Sequence, residues 1–154
     1  MTSTSTWPLA QDPRPTPKAE ALGWQWALDE AQARGDLAAM ELACRKGLHD
    51  APAELLPAQC LSELLLASNR VAEALTLLKA TTARHPDKAA LFVSLAVAAT
   101  VHGEHDLALR SVDHAATLDP RNADIAALQG ELLLQCERPG EAIAPLRRAV
   151  ELRA

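Results

Sequence analysis

From Ala89 to Pro120 the apolar positions fall into two segments of helical period, Leu91 to Val101 and Leu107 to Leu118, separated by a turn at Gly103. Pro120 biases Asp119 away from helical geometry and ends the second segment. The pattern predicts a helical hairpin. A shift of 34 residues in either direction lays the same pattern over the rest of the chain: Pro120 falls on Pro86 and Pro52, Phe92 on Ala58 and Trp24, and Ala108 on Ala74 and Ala142. Units therefore begin near Ala21, Leu55, Ala89 and Ala123 and divide the domain at 21–54, 55–88, 89–122 and 123–154. A hairpin of this size buries its apolar faces only by stacking on its neighbours. The expected fold class is an all-α solenoid of helical hairpins.

Within the first unit Trp24, Ala27, Leu28 and Ala31 recur at the spacing of one buried helix face, with Trp24 the main anchor and Gly35-Asp36 the turn. The second unit places Pro57 near a helix start, where a missing N–H costs little, and turns at Asn69-Arg70. In the fourth, Glu137-Arg138-Pro139-Gly140 makes the turn, and Pro145 is expected to bend or delay the last helix. Residues 1–20, rich in Ser and Thr and then in Pro, read as an extended, disordered tail in which Trp7 is the lone exception to a polar leader.

The slots Trp24-x2-Ala27-Leu28-x2-Ala31 and Phe92-x2-Leu95-Ala96-x2-Ala99, followed by Met40-x3-Cys44 and Ala108-x3-Val112 and closed by prolines at 52 and 120, resemble the tetratricopeptide repeat. The resemblance covers residues 21–154. It implies a right-handed superhelix whose leading helices line a concave groove that grips a peptide or a partner helix. Helical geometry then picks the exposed stripe of those leading helices at i, i+4 spacing. Gln25 and Asp29 lie on it in the first unit, Gln59 and Glu63 in the second with Leu66 beside them, Val93, Val97 and Val101 in the third, and Ala127 and Glu131 in the fourth.

The third leading helix is apolar nearly all the way round, where a helix facing water on one side carries polar residues there. Either its valines are buried between neighbouring hairpins, or they form a dry centre flanked by Asp29, Glu63 and Glu131. The second reading suits a protein or peptide segment that is apolar or amphipathic with basic edges. Members of the family that clasp a peptide carboxylate resemble one another in carrying Lys, Arg and Asn along the groove; acids and valines here would repel that group.

A formal charge of −5, contributed by the repeats, argues against nucleic acid as a partner. Cys44, Cys60 and Cys136 stand far apart without a C-x-x-C, the usage of a reducing compartment. No apolar run is long enough to span a bilayer and the N-terminus lacks a secretion signal, so the expected location is cytoplasmic, with no membrane partner. His102-Gly103-Glu104-His105 lacks the helical spacing of a zinc site and reads as exposed turn residues. Glu30, Glu41, Glu73 and Glu151 read as solvated helix faces. No nucleophile elbow, phosphate loop or catalytic carboxylate pair stands out. No enzyme activity, metal or cofactor is expected.

The sequence supports a non-catalytic adaptor or chaperone-like module; small acidic arrays of this family look like bacterial secretion chaperones. The alternative is the recognition or oligomerisation domain of a larger bacterial enzyme of the glycosyltransferase, sulfotransferase or hydroxylase type. Ile143, Leu146 and Val150 on the last helix have nothing after them to pack on. Either the array forms a homodimer through that helix, or the N-terminal tail folds over it, or the chain is the leading part of a longer protein.

Overall fold

The computed structural model describes residues 17–154, and side chains from residue 23 onward; the leader around Trp7 lies outside the described residues. Eight helices follow in the described residues: α1 (Pro17–Arg34), α2 (Leu37–Asp50), α3 (Leu56–Ala67), α4 (Val71–Arg84), α5 (Ala89–His102), α6 (His105–Leu118), α7 (Ala123–Gln135) and α8 (Pro139–Arg153). Gly23, at φ 59°, breaks α1 between residues 17–22 and the segment that opens on Trp24. Each helix packs on the one before it and the one after it. Between helices not adjacent in sequence the main contact is α3 with α5, both leading helices of their hairpins. The leading helices therefore occupy the inner side of the stack.

The step of 34 residues is visible in the backbone as well as in the packing. Gly35, Asn69, Gly103 and Glu137 take φ of 66°, 60°, 88° and 57° at equivalent positions between the two helices of each hairpin. Glycine adopts this left-handed conformation without cost and asparagine tolerates it; a glutamate there is strained by about 1 kcal/mol. Glu137→Gly is accordingly expected to stabilise the fourth hairpin by about 1 kcal/mol, read as a higher melting temperature.

The core runs along the stack in two joined clusters. Trp24, Leu28, Cys44, Leu61 and Leu65 form one, and Leu78, Leu95, Val112 and Leu132 belong to the other, with Leu66 packed against both. Ala96, Ala98 and Ala99 are fully buried, which lets α5 sit close to its neighbours. The last helix departs from expectation: it begins early, at Pro139, and continues through Pro145 as one helix, neither delayed nor interrupted. Pro139 at the first position supplies a preset φ, and Pro145, six residues on, lies buried inside the helix.

Two of the acids expected to be solvated instead tie hairpins together. Arg70, just past the left-handed Asn69, donates to both oxygens of Glu41 on α2 at 2.8 and 2.9 Å and to Glu73 on α4 at 2.7 Å. Arg45 adds a 2.6 Å bond to Glu41. Hydrogen bonds from Arg45 and Arg70 hold the Glu41 carboxyl below its ordinary value, and Arg70 does the same for Glu73. Depressed folded-state values mean that the stabilisation is fully present above the ordinary glutamate value near 4.5 and is lost as pH falls through the depressed ones. Denaturant midpoints are expected to drop on going from pH 7 to the acid side of that value, and Arg70→Met to flatten the drop.

Candidate partner-binding groove

The leading helices α1, α3, α5 and α7 carry the stripe of i, i+4 positions, and exposure along it varies from one helix to the next. Gln25 and Asp29 are exposed on α1, with the Gln25 amide 3.4 Å from the Glu54 carboxylate at the head of α3. On α3, Glu63 is exposed while Gln59 and Leu66 are half-buried. On α5, Val93 is half-buried against the core, but Val97 is 39% and Val101 62% exposed. On α7, Ala127 is half-buried and Glu131 exposed. The valines thus climb from the core edge at Val93 to open surface at Val101.

Around the stripe the structure adds residues that single-helix spacing passes over. Leu134, 49% exposed, stands two repeat steps from Leu66, and Leu56, equally exposed, opens α3. A cleft of about 200 Å³ lies between the first two hairpins, lined by Gln32, Met40, Cys60, Glu63, Leu64 and Ala67. The 34-residue step was the signal that could have found Leu134, since it carries Leu66 there directly. The cleft required knowing how closely α1 and α3 approach.

Cys44 and Cys60 lie inside the stack, while His102 and His105 stand at the turn of the third hairpin. Burial pushes the Cys44 thiol up to about 12, and Cys60, beside it, is pushed up by burial as well. Thiols held protonated are poor nucleophiles and poor metal ligands. Exposed His102 has Nδ1 3.5 Å from Glu104, and His105 points to solvent from the start of α6. Among the described residues no group of three His, Cys, Asp or Glu is placed to hold a metal ion, and no helix is long and apolar enough to cross a membrane.

Solved structures share this arrangement. A crystal structure of MamA protein superposes with a TM-score of 0.76 at 18% identity, over 84% of this chain and 71% of that one. MamA from residue 41 onward of Desulfovibrio magneticus RS-1 gives 0.74 at 19% identity, over 84% and 73%. MamA AMB-1 gives 0.70 at 23%, over 87% and 81%. Likeness at this identity is a likeness of fold. Sequence comparison with curated proteins finds no match. The tetratricopeptide repeat model matches residues 61–120 and 101–154, together more than half of the chain. A curved stack that offers side chains along its inner face is built to contact another polypeptide, which makes this a protein–protein interaction module. With its repeat step, its left-handed turns and the sequence match in agreement, the chain belongs to the tetratricopeptide repeat family.

Proposed function

We propose that the protein captures an amphipathic segment of a partner protein, apolar on one face and basic at its edges, in the groove formed by α1, α3, α5 and α7. The observation that carries this reading is the exposure of Val97 and Val101 on a helix whose other faces are buried. Two adjacent valines one helical turn apart offer a dry patch, and each one covered contributes about 1.5 kcal/mol. Exposed Glu63 and Glu131, on the leading helices of the hairpins before and after α5, and exposed Asp29, on the first leading helix, suit lysine or arginine beside the apolar contact. The role is that of an adaptor or a chaperone, holding a segment without chemistry.

Two synthetic amphipathic helical peptides with identical leucine spacing, one flanked by lysines and one by glutamates, test this by calorimetric titration. The lysine-flanked peptide is expected to bind in the micromolar range and the glutamate-flanked one at least tenfold more weakly. Equal affinity for both, or binding of neither, would remove the charge and apolar logic together.

A further inference from the structure

Helix α8 presents an exposed face that is covered at the equivalent helices α4 and α6. Leu75 and Leu109 are 3% and 8% exposed beneath the following hairpin, while Ile143, at the equivalent place, is 58% exposed. Val150, two turns further along the same face of α8, is 70% exposed. Between them stands exposed Arg147, which continues the series Arg45, Lys79, Asp113 at the repeat step. Each earlier member of that series reaches across to the next hairpin. Arg45 lies 3.6 Å from Glu73, Lys79 lies 3.3 Å from Glu104, and Asp113 accepts a 2.6 Å bond from Gln129. Arg147 therefore occupies the register position that, in all three internal junctions, makes a polar contact with the hairpin that follows.

The head of the same chain offers the complement. Asp36 is the repeat equivalent of Glu104, the partner of Lys79, and is exposed. Its Oδ1 accepts from the Ala39 N–H at the start of α2, which leaves the second oxygen of the carboxylate available. Ala27 stands where Leu95 is buried with Leu75 and Leu78 of the preceding hairpin, so among the described residues the head has a shallow floor for Ile143 and Val150. Among the described residues, a Cβ placed on Gly23 would meet nothing within 4 Å.

We infer that a second copy of this chain stacks head to tail on α8, with Ile143 and Val150 on the α1 surface and Arg147 paired to Asp36, so that the repeat step continues across the junction. This surface is separate from the groove and does not depend on what occupies it. Charge selects this mode over a symmetric one. Pairing two α8 helices antiparallel, with Ile143 on Val150, sets the midpoint between Leu146 and Arg147 and brings two Arg147 side chains together. Like charges so placed are destabilising. A head-to-tail contact is heterologous and does not close on itself, so copies add in series.

Sedimentation of the 154-residue chain over a range of concentrations tests this. The wild type is expected to rise in mass beyond a dimer with concentration and to fall back in high salt. Ile143→Asp, Arg147→Glu and Asp36→Asn should each weaken association at least tenfold at unchanged helicity; asparagine keeps the cap at Ala39 and drops only the charge. The Ile143→Asp chain retains its head, so adding it to wild type should shorten the assemblies. A chain that stays monomeric throughout, or a closed dimer indifferent to Asp36→Asn, would overturn the proposal.

Discussion

Replacing Val97 with aspartate is expected to cut affinity for the lysine-flanked peptide at least a hundredfold while leaving the chain folded. The loss has two parts. Covering Val97 contributes about 1.5 kcal/mol in the wild type, and a carboxylate in its place is either desolvated, at a cost of several kcal/mol, or holds the peptide away. Together these exceed the about 2.8 kcal/mol that a hundredfold change in affinity requires. Stability is spared because the Val97 side chain is already 39% exposed and its neighbours Leu95, Ala96, Ala98 and Ala99 carry the packing of α5. Circular dichroism melts of the two proteins should nearly coincide. A variant that unfolds would mean that Val97 belongs to the core.

The second large effect concerns the fold. Gly130→Val is expected to destabilise the fourth hairpin by about 3 kcal/mol, because a Cβ at that position would run into the Leu146 side chain, with no room between α7 and α8. In a stack whose hairpins touch only their neighbours, the damage should stay local. Hydrogen exchange is expected to show lost protection in α7 and α8 and retained protection in α2 through α5. Shortening the obstructing side chain in the same molecule, Gly130→Val with Leu146→Ala, should recover part of the loss, although Leu146→Ala alone is destabilising. Uniform loss of protection along the chain would show that the hairpins unfold as one unit.

Much of this architecture could be read from residue order because a solenoid is specified locally. Hydrophobic period marks each helix, and a turn element recurs at a fixed step, so Gly35, Asn69, Gly103 and Glu137 could be aligned before any contact was known. The third helix stood out for the same reason, since its composition departs from one-sided burial. What residue order left out depends on distances between hairpins. Glu41 looks like a solvated acid until Arg70, 29 positions away, is seen to close on it. Leu134 and Leu56 escaped a stripe drawn at i, i+4 because they are exposed on the leading helices outside that single row. Pro145 was expected to bend or delay α8, yet the helix starts at Pro139 and runs to Arg153 as one element with that proline buried inside it.

The central claim is that the apolar centre of the inner face is a binding surface, and methyl NMR of the isotopically labelled chain titrated with the lysine-flanked peptide tests it most directly. Shifts are expected at Val93, Val97 and Val101 and at Leu66 beside them, with the buried methyls of Leu78 and Val112 on α4 and α6 unmoved. Shifts centred on the outer helices, or saturation of binding with the three valines unmoved, would contradict it.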